Sequence, residues 1–153
     1  MKWKPFYLLA ALFLVLPLSQ VMAEETKSYW KTQEKCLTVA LYYESRGESE
    51  KGQQAVADVI VQRSLQSDTS ICKVLKAKGQ FSWNAVLMWR PFPKDSLTQQ
   101  EMASNIVKQI GNRTWKSSVK GSTHFHAVHV KPRWAKKFKF IKRVDKHLFY
   151  KEK

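Results

Sequence analysis

Tyr42-Tyr43-Glu44-Ser45-Arg46-Gly47-Glu48 places an acid where a helix would be expected to continue its core face, and the rest of the 153-residue chain is read outward from it. Leu37, Leu41 and Glu44 stand at i, i+4 and i+7 with Ala40 beside them, so on a helix they share one side. Glu44 therefore extends an apolar stripe. A carboxylate in a half-buried position loses hydration, which favours the neutral form and raises its pKa, as a general acid near neutral pH requires. Gly47 offers a left-handed exit from the helix, which would put the acid at a lip rather than deep in a core. The competing reading is a helix-end glutamate paired with Arg46.

Upstream, Thr32 is expected to cap a helix from about Gln33 to Ser45, with Glu34 in its first turn. The chain begins with Lys2 and Lys4, an apolar run from Phe6 to Leu18, and Val21-Met22-Ala23 before Glu24-Glu25. That order reads as a secretory signal peptide over residues 1–23, with residues 24–153 as one mature domain. The alternative is an uncleaved anchor, although the run is short for a span and contains Pro17. Removal of Lys2 and Lys4 would lower the net charge from +15 to +13. A surface so basic seeks polyanions, which for a secreted or periplasmic protein means cell-wall polymers, lipid head groups or extracellular nucleic acid. Cys36 and Cys72 are the two cysteines, and an even count in an oxidising compartment favours a disulfide. Metal binding is the weaker alternative, because two lone cysteines at this spacing match no zinc pattern.

Downstream, Ser49 is expected to cap a helix from Lys51 to about Leu65, with Ala55, Val56, Val59 and Ile60 as its inward stripe. A short helix follows from Ser70 to Ala77. The stretch Gly79-Gln80-Phe81-Ser82-Trp83-Asn84 and the later Trp89-Arg90-Pro91-Phe92-Pro93 form a loop rich in rings, suited either to sugar faces or to the core. A fourth helix is expected from Thr98 to Ile110, ended by Gly111. His124, His126 and Val128 then alternate with Phe125, Ala127 and His129, which predicts a strand, with Leu148-Phe149-Tyr150 as a neighbour. His124 and His126 share a face, whereas His129 falls on the other, so a metal site is disfavoured. Lys131 to Lys146, dense in Lys and Arg around Trp134, Phe138 and Phe140, reads as a solvated basic face.

These pieces resemble one family. Tyr43-Glu44-Ser45-Arg46-Gly47-Glu48 followed by Gly52-Gln53-Gln54-Ala55-Val56-Ala57 is similar to the Y-x-E-A-R-G-E-x-x-x-G-Q-x-A-V-A signature of the SleB-type cell wall hydrolases. Val59-Ile60-Val61-Gln62-Arg63 resembles the family's V-V-L-N-R, Ser70-Ile71-Cys72-Lys73-Val74 its S-I-C-x-V, and Gln80-Phe81-Ser82-Trp83 its Q-F-S-W. Gly121-Ser122-Thr123-His124-Phe125-His126 resembles G-A-T-H-Y-H, Pro132-Arg133-Trp134-Ala135 resembles P-x-W-A, and His147-Leu148-Phe149-Tyr150 resembles H-x-F-Y. The departures are Ser45 for Ala, Gln62 for Asn, Gly79 where some relatives carry a Cys, and Val144-Asp145 for the Ile-Gly before the terminal His.

The resemblance implies a single α+β domain of lysozyme or lytic transglycosylase type, mostly helical with a small C-terminal β element. It implies cleavage of peptidoglycan between N-acetylmuramic acid and N-acetylglucosamine, with Glu44 catalytic and Arg46 and Glu48 in support. Gln80, Phe81, Ser82, Trp83, His124, His126, Trp134, His147 and Tyr150 are the expected substrate-binding residues. The expected partners are peptidoglycan and anionic cell-wall polymers, with a monomeric protein, no metal, no cofactor, no nucleic acid and no membrane anchor after signal cleavage. An amidase using zinc at the histidines, and a noncatalytic wall- or nucleic-acid-binding module, are the alternatives.

Overall fold

The computed structural model describes residues 18–77, 79–81 and 90–153. The apolar run of the expected signal segment lies almost wholly outside the described residues, as do Ser82, Trp83 and Trp89. Among the described residues no helix is long and apolar enough to cross a membrane.

Among the described residues four helices precede a small sheet: α1 (Leu18–Ser45), α2 (Glu50–Gln66), α3 (Ile71–Lys76) and α4 (Leu97–Gly111). Then come β1 (His124–Ala127), a 3-10 turn (Arg133–Lys137), β2 (Lys139–Val144) and β3 (His147–Lys151). The expected apolar stripes are the ones buried. Leu37 and Leu41 of α1, Val56, Val59 and Ile60 of α2, and Ile106 of α4 close over Phe149 at the centre of the sheet. Ser49 and Ser70 cap α2 and α3, accepting hydrogen bonds from the Gly52 and Lys73 amides at 3.2 Å. Cys36 and Cys72 are joined, with Cα atoms 5.3 Å apart, so the bridge ties the middle of α1 to α3.

Three local expectations need correction. The first helix does not start at a Thr32 cap: α1 runs unbroken from Leu18, and the Thr32 hydroxyl donates back to the Ser28 carbonyl within it. Residues 18–46 contain neither Gly nor Pro, and Ala, Glu, Lys and Gln sustain a helix without a packed face. Glu34 is consequently mid-helix. Gly47 and Gly111 do not adopt the left-handed conformation; after α4 that role falls to Arg113 (φ 58°). The segment 131–146 is more than a solvated face, since it contains a strand.

The sheet order is β1-β3-β2, antiparallel throughout, with His124 opposite Tyr150 and Ala127 opposite His147. β2 is an edge strand with an irregularity between Phe140 and Lys142. Its Lys and Arg side chains, which disguise it in the sequence, suit an edge because charge there discourages pairing with other chains. β3 is central, and its alternation divides the site residues. Phe149 turns to the helices and is fully buried, while Tyr150 joins the rings on the opposite face.

Candidate active site

The α1–α2 turn meets the β2–β3 hairpin at one junction. Glu44 is half-buried in the last turn of α1, continuing the line of Leu37 and Leu41. Ser45 is buried, and its hydroxyl donates to the Leu41 carbonyl at 3.0 Å, so the residue that departs from the family's alanine brings its own partner. Arg46 lies over the Tyr42 ring at 4.7 Å rather than against Glu48, and the Tyr42 hydroxyl donates to Asp95 at 2.8 Å. This hydrogen bond to a carboxylate raises the phenol's pKa.

Glu48 is committed to the fold. Its side chain is only 8% exposed, its Oε2 accepts from the Lys146 amide at 3.0 Å, and His147 Nδ1 stands 3.9 Å away. The Glu48 carbonyl accepts from the Gln53 amide group at 3.2 Å, and Gln53 in turn accepts from Gln99 of α4 at 2.8 Å. Gln53, part of the family signature, thus joins three segments. His147 Nδ1 is buried, with no hydrogen-bond partner among the described residues. Burial lowers the imidazole's pKa, the nearby Glu48 carboxylate opposing that shift.

Asp145 completes the junction. It takes a left-handed conformation (φ 45°) where the family pattern has glycine, a conformation that Asp tolerates better than most residues. Its Oδ2 accepts from both the amide (2.9 Å) and the hydroxyl (2.6 Å) of Ser49. The Ser49 hydroxyl bond, foremost, holds its carboxyl below the usual range. Asp145 is therefore a ligand of the α2 cap, and acidification that protonates it removes that support.

Gly52 is the residue that lets the two sides meet. A Cβ there would overlap the Asp145 carboxylate and stand 2.8 Å from Glu48 Cβ. Gly52→Ala should cost about 1–3 kcal/mol by forcing the hairpin away. In an Asp145→Gly background the same change should cost less, because one clashing partner is gone. Urea unfolding of the four proteins tests this, and equal costs in both backgrounds would refute the contact.

A second cluster occupies the outer face of the sheet. His126 stacks on Tyr150 at 5.2 Å, and Trp134 meets His124, His126 and Tyr150 edge-on or tilted at 5.2–5.5 Å. Phe138 closes on His124 at 4.5 Å. His126 is oriented by both nitrogens, Nδ1 with the Ala127 carbonyl (2.9 Å) and Nε2 with the Tyr150 hydroxyl (3.1 Å). Burial lowers the His124 pKa, and Arg63 adds to this. Among the described residues no three His, Cys, Asp or Glu side chains converge as a metal site would need. A pocket of about 690 Å³, lined by His126, Tyr150, Leu148 and Lys131, flanks the cluster on one side.

The expected binding residues therefore fall into separate groups. His124, His126, Trp134 and Tyr150 come together. His147 does not join them: it lies on the helix-facing side, against Phe125 at 5.3 Å and near Glu48, because its strand position has the opposite parity to Tyr150. Gln80 is exposed and accepts from Arg63 Nη1 at 2.7 Å, while Phe81 packs against the core. Of the loop's rings, Phe81 and Phe92 are partly buried against the core, and Trp83 and Trp89 lie outside the described residues. Sequence reasoning gave no part to the contacts of Gly52, Gln53 and Arg63, although all three stand within family motifs, nor to those of Asp95 and Asp145.

The cell wall hydrolase family matches residues 47–150. Two solved structures share the fold. One is the catalytic domain of the germination-specific lytic transglycosylase SleB from Bacillus anthracis: 23% identity, TM-score 0.64, covering 79% of this chain and 95% of that one. The other is the catalytic domain of the Bacillus cereus SleB protein: 24% identity, TM-score 0.64, covering 79% and 91%. No curated protein sequence matches the chain. With the expected order of helices, sheet and motifs in place, this chain belongs to the cell wall hydrolase family.

Proposed function

We propose that the protein cleaves the glycan strands of peptidoglycan between N-acetylmuramic acid and N-acetylglucosamine as a lytic transglycosylase, with Glu44 as its general acid and base. The observation that carries this reading is the placement of a half-buried acid at the very end of α1, four residues before a second carboxylate that the hairpin holds. Glu44 is half-buried at the end of α1, whereas Glu48 is held by the Lys146 amide beside His147. The family match begins at Gly47, so the role of Glu44 rests on the motif that continues upstream of it.

One carboxyl group suffices for the reaction. Protonated Glu44 donates to the oxygen of the leaving N-acetylglucosamine as the bond from muramyl C1 to that oxygen breaks. The resulting carboxylate takes the proton of the muramyl C6 hydroxyl as O6 bonds to C1, closing a 1,6-anhydro ring. Glu44 ends reprotonated, and no water is consumed, which removes the need for the second carboxylate of an ordinary glycosidase. Arg46, on the Tyr42 ring beside the helix end, supports the local geometry. The protein works outside the cytoplasm as a monomer on peptidoglycan and associated anionic polymers, and a cleavable signal over residues 1–23 takes it there.

Mass spectrometry of digested peptidoglycan tests the reading. Anhydro-muramyl ends are expected. Reducing ends, heavier by one water, would assign hydrolysis instead. Free stem peptides, with activity abolished by a metal chelator, would replace the reading with an amidase. A chelator is expected to leave cleavage unchanged.

A further inference from the structure

A pocket of about 490 Å³ lies between the C-terminal half of α2, α3 and the start of β1; two of the expected substrate-binding residues, Gln80 and His124, line it, but the bond-breaking steps use none of its groups. Its wall carries Arg63. The guanidinium donates from Nε to the Thr123 carbonyl and from Nη1 to the Gln80 side chain, which uses two of its five N–H groups and holds the fork in place. Burial lowers the pKa of this arginine, and Glu152 opposes the shift from a distance. Among the described residues no carboxylate stands within ion-pairing distance of it. A half-buried guanidinium with N–H groups to spare and no acid paired to it suits an anion that enters from the pocket.

Three other groups shape the charge of the pocket. Lys73 of α3 is exposed at the rim. His124 lies on the β1 side with its pKa lowered by burial, so it adds little positive charge near neutral pH. Glu152, with a side chain 65% exposed, comes within 3.9 Å of His124 Nε2. A carboxylate thus already reaches this rim, on an exposed residue just past β3. The planar fork of arginine suits a carboxylate, and Lys73 adds a point charge beside it. Arg63 is thirteen residues beyond the start of α2, about 20 Å along the helix from the turn next to Glu44. An occupant here is therefore bound apart from the bond being cut.

We propose that this pocket is a carboxylate subsite that holds a stem-peptide carboxyl group of the glycan strand, with Arg63 and Lys73 as its cations and Glu152 as an internal competitor. The inference rests on the glycan-strand reading above and names which substituent of the strand is recognised.

Binding can be read without cleavage. In a Glu44→Gln background, calorimetric titration with soluble glycan strands that keep or lack their peptides gives an affinity ratio independent of the chemistry. Peptide-bearing strands are expected to bind more tightly. Adding Lys73→Ala should shrink that ratio by roughly two- to fivefold, the scale of one exposed charge pair. Adding Glu152→Gln should widen it. Lys51→Ala, an exposed charge at the far end of α2, is the matched control for general surface attraction and should change the ratio little. The subsite is overturned by a ratio of one in the background protein, by equal shrinkage with Lys51→Ala and Lys73→Ala, or by a Glu152→Gln ratio that falls. Failure of Glu44 as the catalytic acid would appear separately, as turnover retained by the folded background protein.

Discussion

Glu44→Gln is expected to fold like the parent protein and to lose about two to four orders of magnitude in turnover on peptidoglycan, the usual scale for a general acid. The amide keeps the shape of the side chain but has no proton of suitable acidity to give the leaving oxygen, and afterwards no carboxylate to accept one from the C6 hydroxyl. Glu48→Gln should behave differently. Its Oε2 accepts from the Lys146 amide, a bond that a glutamine oxygen can keep, so stability should fall modestly and turnover by much less than for Glu44. Rates from release of glycan ends, with unfolding midpoints of the same preparations, distinguish the two. Parent-like turnover in folded Glu44→Gln, or equal losses in both variants, would refute the assignment of one catalytic and one structural carboxylate.

Replacing both Cys36 and Cys72 by alanine should cost about 3–4 kcal/mol, the chain-entropy scale for a loop of this length. The bridge fastens α3 to the middle of α1, where Gln33 also accepts from the Cys72 amide at 3.2 Å. Both half-cystines are buried, so some packing is lost as well. The bridge lies well back along α1 from Glu44, and activity per folded molecule should be retained. Urea unfolding measures the cost. Intact mass before and after reduction and alkylation checks that the bond forms in exported protein. An unchanged unfolding midpoint would show that the tether does nothing for stability.

Much of this architecture was legible because it depends on local pattern. The i, i+3, i+4 stripes of α2 and α4, the serine caps of α2 and α3, and the strand of alternating histidines follow from helical and strand periodicity. The paired cysteines were likewise legible in outline, although their partners in the packing were not. The motif order was enough to indicate the family. The start of α1 was not legible, because a hydroxyl residue caps a helix only when the preceding chain leaves it, and nothing before Thr32 forces it to leave. β2 was concealed for a related reason: an edge strand needs one pairing partner and tolerates charge along its length, so its composition resembles that of a basic loop.

The candidate site divides along the same line. Alternation alone puts His124 and His126 on one side, and the apolar run alone puts Glu44 on the inward side of its helix. Only the register of β1 on β3 decides that Tyr150 joins those histidines while His147 turns to Glu48. Only the docking of the β2–β3 hairpin on the α1–α2 turn gives Glu48 its amide partner, leaves no room for a Cβ at Gly52 and makes Asp145 a ligand of the α2 cap. The residues by themselves thus determined the helices, the family pattern and the position of the acid, because each depends on neighbours a few places away. The tertiary structure decided that the hairpin holds Glu48 and that the Thr123 carbonyl anchors Arg63 at the far pocket, because those contacts join segments separated by sixty to a hundred residues, where one peptide's pattern carries no information about the other.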